Sequence, residues 1–174
     1  MTNRTKLWIA EAMKRLMNKK SIEKIRVTEI CNEAQIGRPV FYYHFKDKYD
    51  LVAWIFYDSA IDTNIISSES AAHHMNKMRN DFLFYKRAFE DSSQNALWKY
   101  IVEYYTNRYT QEAKRILNTN TLDPQIQFSI KLYCYGCVGM TKEWLLHDNI
   151  TPAKTIVEMM FTSMPQVLRD IYFK

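Results

Sequence analysis

The scarcity of chain-reversing residues constrains this sequence more than anything else in it. Its 174 residues hold only 3 glycines and 4 prolines. A protein of many short strands needs a turn every ~8–12 residues, usually built on such residues, so that class is excluded. Apolar residues recur instead at spacings of three and four, as in Leu7, Ala10, Met13, Leu16 and Met17; this period lines up one face of an α-helix. The sequence therefore predicts an all-α protein, with about nine helices on the periodic pattern. Its 47% hydrophobic content suffices for a sizeable core.

The breaks in the pattern place the helices. The first spans about residues 3–19, and residues 20–26 form a connection in which Ile22 and Ile25 tuck under the fold. Thr28, a residue type that suits an N-cap, opens a short second helix through Ala34. Gln35-Ile36-Gly37 is a tight turn, with Gly37 able to supply a positive φ. Arg38-Pro39 restarts a third helix that runs to Phe45, since proline is tolerated in a first helical turn. Two short helices joined by a three-residue, glycine-containing turn outline a helix-turn-helix. Asp47 opens a long fourth helix to about Ile61, and Ser67-Ser68-Glu69-Ser70 reads as a loop or a frayed helix end. Further helices are expected near 71–79, 81–90, 94–117, 124–147 and 151–172, with Pro165 kinking or breaking the last. Two domains follow: residues 1–47, three helices with the helix-turn-helix, and residues 48–174, a helical remainder.

Charge separates the same two regions. Residues 1–50 carry eleven Lys/Arg against six Asp/Glu, whereas residues 51–174 carry thirteen of each, so the whole formal net charge of +5 lies in the first third. A basic block beside a neutral body is an electrostatic footprint for a polyanion, of which nucleic acid is the commonest; a merely solubilising basic terminus is the plainer alternative. No apolar run approaches the ~18 residues of a membrane span, and no basic start leads into an unbroken apolar stretch. The chain reads as soluble and cytoplasmic, without a membrane partner. Three cysteines, Cys31, Cys134 and Cys137, are an odd number in a chain that needs no staples, so reduced thiols are expected.

The stretch Arg38 to Leu51, R-P-V-F-Y-Y-H-F-K-D-K-Y-D-L, carries the function. Phe41 and Phe45 lie one helical turn apart and face inward with Val27, Ile30 and Ile36. Arg38, Val40, Tyr42, Tyr43 and His44 are left facing out. Two tyrosines, a histidine and an arginine are an unusual set for a surface meant only to be wet. They suit a major groove, where Arg can fork onto guanine, Val can touch a thymine methyl, and Tyr, His and Lys48 can meet phosphates. Partial burial of Tyr42 and Tyr43 as packing residues is the alternative.

The run Y-Y-H-F-K-D-K-Y-D-L, with Thr28-Glu29-Ile30 before it and Gly37 at the turn, resembles the recognition-helix signature of the TetR family of transcription regulators. The resemblance is specific over about residues 5–55. Beyond them, Tyr135-Gly136-Cys137-Val138-Gly139-Met140 through Glu143-Trp144-Leu145 resembles the subgroup containing dihydroxyacetone-kinase operon activators. By position the resemblance implies that Thr28 caps its helix and touches a phosphate. It puts Arg38, Pro39 and Val40 closest to base edges, while Tyr42, Tyr43, His44 and Lys48 hold the DNA backbone. Two departures stand out: Arg38 replaces a small polar residue at the start of the recognition helix, and Lys20-Ser21 stands where the family carries glycine.

The resemblance also implies a double-stranded DNA operator, a homodimer and a small-molecule or protein effector; no cofactor or metal is expected. The family pairs its last two helices with their copies, which assigns Tyr135, Gly136, Gly139, Met140, Met160 and Leu168 to a dimer interface. Glycine within a helix is costly unless a neighbour approaches closely, so Gly136 and Gly139 independently suggest a tightly packed helix pair. The middle helices are rich in aromatics, and in the family this region encloses an effector cavity. Trp54, Phe82, Tyr85, Trp98 and Tyr105 are its candidate lining; filling an ordinary core is the equal alternative.

Cys134-Tyr-Gly-Cys137 lacks the second pair of ligands a metal site needs and reads as packing. His73-His74-Met75 reads as a solvated stretch, and Cys31 as a small apolar core residue. There are no paired carboxylates, no nucleophile with base and orienting group, and no phosphate-cradling glycine loop, so the chain is not expected to be an enzyme. The alternatives to a DNA-binding regulator are an all-α small-molecule carrier and a protein-interaction module with a degenerate helix-turn-helix.

Overall fold

The computed structural model describes residues 2–93, 96–148 and 150–173. Among them are ten α-helices and no strand. The helices are α1 (Thr2–Met17), α2 (Val27–Glu33), α3 (Arg38–His44), α4 (Lys48–Ala60), α5 (Ser68–Asn80), α6 (Phe82–Glu90), α7 (Leu97–Ile116), α8 (Pro124–His147), α9 (Ala153–Thr162) and α10 (Gln166–Tyr172), with a 3₁₀ turn at Ile22–Lys24. They form two compact units: residues up to 59 with 81–97, and residues 60–80 with 98 onward. No helix among the described residues is long and apolar enough to cross a membrane.

In the first unit α1 turns Ile9, Ala12, Met13 and Met17 inward, all fully buried, and packs on α2 and α6. On its partly wet side the Lys14 ammonium meets the Asp81 carboxylate at 2.8 Å. Ile22 and Ile25 of the connection are buried as the pattern predicts.

The helix-turn-helix departs from expectation at two places. The N-cap of α2 is Arg26, not Thr28. Glu29 reaches back and accepts the Arg26 backbone N–H at 2.8 Å, and its other oxygen takes the Lys20 ammonium. One carboxylate thus satisfies a free donor at a helix start, where negative charge is also favoured by the helix dipole. The Lys20 ammonium first, then the Arg26 N–H, holds the Glu29 carboxyl below the usual range. The second departure is at the turn, where Gly37 has an ordinary extended backbone (φ −75°) and the left-handed residue is Gln35 (φ 52°). Gln35 donates its N–H to Asn32 and Ile36 to Cys31, the two hydrogen bonds of a Schellman ending. The same ending closes α7, with left-handed Asn118 and bonds from Asn118 to Arg115 and Thr119 to Lys114.

The second unit is built on Ile65, Tyr109, Ile130, Tyr133, Cys134, Leu168 and Tyr172. Its buried tyrosines are satisfied by backbone: Tyr109 donates to Ile65 at 2.7 Å, Tyr172 to Tyr109 at 2.8 Å and Tyr133 to Met160 at 3.2 Å. Arg79 stacks 3.8 Å from the Trp144 ring and donates to the Asp148 and Thr151 carbonyls. The serine-rich stretch is mostly helical, because the Ser67 hydroxyl accepts the Ser70 N–H at 3.2 Å and lets α5 begin at Ser68. Pro165 breaks the closing helix into α9 and α10 rather than kinking it, since its ring carries no N–H to continue the ladder. Of the two histidines read as solvated, His73 is exposed and His74 is buried on the inner face of α5.

Candidate nucleic-acid interface

Three features fix α3. Gly37 caps it in an extended conformation, and Pro39 sits in the first turn, where a missing N–H leaves no bond unmade. Phe41 is fully buried and Phe45 nearly so, their rings 5.9 Å apart. Phe45 continues into Trp54 of α4 at 5.7 Å, and the Lys6 ammonium lies 5.5 Å from both rings. The pair Phe41 and Phe45 therefore anchors the helix as expected. Val27 and Ile36 are only half-buried beside the fully buried Ile30.

The outer side of α3 is wet. Arg38 and Pro39 are exposed, Val40 is 39% exposed, Tyr42 49% and Tyr43 78%, while His44 is half-buried. The Arg38 guanidinium lies 5.8 Å from the Tyr42 ring, one turn away. Thr28 is exposed on α2. Tyr43 in particular is mostly solvated, and its ring meets the His44 imidazole edge-on at 4.9 Å. Burial pushes the Cys31 thiol beneath this surface upward, with Arg38 pulling weakly the other way.

Lys48, expected at a DNA phosphate, has its ammonium turned into the protein. Its ammonium donates to the carbonyls of Ile22, Glu23 and Ile25 at 2.8, 3.1 and 2.9 Å. A lysine has three N–H donors, and all are engaged within the protein. Asp47 just before it caps α4, accepting from the Tyr49 and Asp50 backbone N–H groups at 2.8 and 2.9 Å.

A second surface lies on α8 and α9. Tyr135, Gly136, Gly139 and Met140 are exposed there and Met160 is half-buried, whereas Leu168 is fully buried in the chain's own core. A Cβ at Gly136 or Gly139 would meet nothing within 4 Å, so no close helix pair among the described residues compensates these glycines. Gly136, Met140 and Met160 line instead an apolar groove of about 430 Å³ with Leu132, Cys137 and Met159. Burial pushes the Cys134 thiol up to about 12 and the Cys137 thiol up to about 11, so both are protonated and poorly nucleophilic at neutral pH.

The aromatic set is divided between the units. In the first, Trp54 and Phe82 are half-buried, and Tyr85 is buried with its hydroxyl 3.1 Å from the Ser59 Oγ. In the second, Trp98 is half-buried with its ring edge-on to Tyr135 at 6.3 Å, and Tyr105 packs against Tyr104. Among the described residues no group of His, Cys, Asp and Glu is arranged to hold a metal ion.

The engagement of Lys48 escaped the sequence because its partners are main-chain carbonyls, which no residue type announces. The Arg26–Glu29 cap was accessible in principle, since a glutamate three residues after the helix start is the usual signal.

Comparison with known proteins bears on both ends of the chain. The family profile described as bacterial regulatory proteins, tetR family, matches residues 9–55, and that described as transcriptional regulator C-terminal region matches residues 67–166. Among solved structures, the chain is similar to the dihydroxyacetone kinase operon activator DhaS, at 18% identity and a TM-score of 0.65, over 96% of this chain and 97% of that one. No curated protein matches the sequence significantly.

Proposed function

Because the chain belongs to the TetR family of DNA-binding transcription regulators, we propose that it binds a pseudo-palindromic operator as a homodimer, with α3 as the recognition helix of each copy. The observation that carries this reading is the outward side of α3, on which Arg38, Val40, Tyr42 and Tyr43 stand exposed over an anchor of buried Phe41 and Phe45. Arg38, Pro39 and Val40, at the start of the helix, are the residues for base edges. An arginine fork matches the two acceptors of guanine, and a valine methyl matches that of thymine. Thr28, Tyr42, Tyr43 and His44 hold phosphates, fixing register without reading sequence. The excess of cations within residues 1–50 supplies the sequence-independent attraction.

Two recognition helices must lie ~34 Å apart to enter successive major grooves. The exposed side of α8 and α9 around Gly136, Gly139 and Met140 is the surface we assign to pairing two copies, and Tyr135 and Met160 border it. Residues 1–47 then act as the reading head. Residues 48–174 carry the dimer contact and respond to an effector, a small molecule or a protein. The protein acts in the cytoplasm, where its operator is.

Selection of bound duplexes from a randomised pool by the purified chain, at near-physiological salt, tests the reading. Enrichment of a two-fold-symmetric site is the expected result. A folded protein that enriches nothing, with or without cell extract supplying effectors, would overturn it.

A further inference from the structure

Lys48 is the first residue of α4 and follows the recognition helix by a short turn, whereas its three acceptors precede α2. The ammonium therefore joins the chain entering the helix-turn-helix to the chain leaving it. Ile22 and Glu23 belong to the 3₁₀ turn and Ile25 is its C-cap. Carbonyls left over at such an ending attract a cation. Ile25 also donates its N–H to Ile22 at 3.1 Å, so the turn presents the three carbonyls as one preformed nest. The acidic neighbours Asp91, Glu23, Asp47 and Glu29 all favour the charge, yet burial outweighs them and pulls the Lys48 ammonium below the usual lysine range. The Tyr49 ring covers it at 5.3 Å.

We infer that Lys48 is a positioning residue for DNA reading, clamping the entry of the helix-turn-helix to its exit and so setting how α3 is presented, in place of a phosphate contact. The inference rests on the proposed function, since it needs α3 to be the reading helix. The nest selects for lysine rather than for positive charge alone. A compact ammonium directs three N–H groups at converging carbonyls, while a guanidinium spreads its donors in a flat fork. Lys48→Arg thus keeps the charge and loses the clamp, and Lys48→Met keeps the stem and loses both.

The test uses the full chain and the duplex enriched by the selection described above. Affinity is measured across a salt series well below each variant's melting temperature, for that duplex and for a scrambled one. Both variants should melt below the parent and bind the enriched duplex at least roughly tenfold more weakly, with the discrimination against the scrambled duplex reduced. The slope of log K against log salt should be unchanged, because no phosphate contact has been removed. A phosphate contact would show otherwise: Lys48→Met would lower the slope by ~0.9 while Lys48→Arg bound like the parent, and that result overturns the inference. Parental affinity and discrimination in a folded Lys48→Arg variant with a lowered melting temperature overturns it too, since the clamp would then serve stability alone. If Lys48→Met does not fold, Lys48→Arg decides. A parent that binds no duplex defeats the proposed function instead, which keeps the two failures apart.

Discussion

Two exposed surfaces of this protein carry large apolar side chains, and they differ in what accompanies them. On α3, Val40, Tyr42 and Tyr43 share seven residues with Arg38 and His44, in a segment rich in Lys and Arg. On α8, Phe128, Leu132, Tyr135 and Met140 are exposed around Gly136 and Gly139, and Met159 of α9 joins them beside an apolar groove. Aromatic hydroxyls among cations retain their hydration well and gain most against a polyanion. Thioethers, a phenyl ring and bare glycines gain nothing from water and most from another apolar surface. Exposure alone would rank the two surfaces alike; the neighbouring chemistry tells them apart.

Among substitutions that separate the two surfaces, the largest effect should come from beneath the first. Phe41→Ala removes a fully buried ring that anchors α3 and should cost ~3–5 kcal/mol of stability, measured by urea unfolding, with DNA binding lost as well. A loss under ~1 kcal/mol would mean that α3 is not held by this anchor. Next, Leu132→Glu with Met140→Glu places two charges on the α8 surface. The fold should survive, because both side chains are about half exposed. Self-association should weaken by at least ~2 kcal/mol, the scale of an interface hot spot. Sedimentation of the variant as the same species as the parent would remove α8 from the proposed dimer contact.

Smaller effects sharpen the contrast. Tyr43→Ala touches a side chain of α3 that is 78% exposed and should shift stability by no more than ~0.5 kcal/mol, while weakening binding to every duplex by up to roughly tenfold. Equal binding by the variant would show that Tyr43 stands off the DNA. A further effect, confined to alkaline solution, concerns the thiols under the α8 surface. An unfolded chain ionises its cysteines near pH ~8.5, but in the folded chain burial holds Cys137 up at about 11 and Cys134 up at about 12. The folded state therefore keeps more protons, so this contribution is intact below pH ~8.5 and declines as pH rises toward the folded values. The urea midpoint should fall across that window, and fall less in Cys137→Ala. A flat response would show that these thiols already meet water.

How much was legible beforehand follows from which atoms carry each feature. The anchor pair Phe41 and Phe45 is a side-chain pattern at helical spacing, and both rings are buried as that pattern predicts. The turn was found, but its left-handed residue is Gln35, which the two backbone bonds of the Schellman ending hold where glycine would have been cheaper. The cap of α2 moved from Thr28 to Arg26 because the Glu29 carboxylate satisfies the helix start from within. Leu168 and Met140 read alike as apolar helix positions, yet one is buried in the core and the other half exposed, since periodicity gives a stripe without saying what covers it.

The all-α class, the helix-turn-helix, the segregation of positive charge into the first third and the family were readable from the chain alone. Each of these resides in residue type and spacing, which local sterics and hydrophobicity translate directly. It takes the packed helices to show that the Lys48 ammonium closes on three main-chain carbonyls, that Gly136 and Gly139 face open space and that Leu168 serves the core. Those outcomes depend on backbone groups and neighbours more than twenty residues away, brought together only when the helices pack.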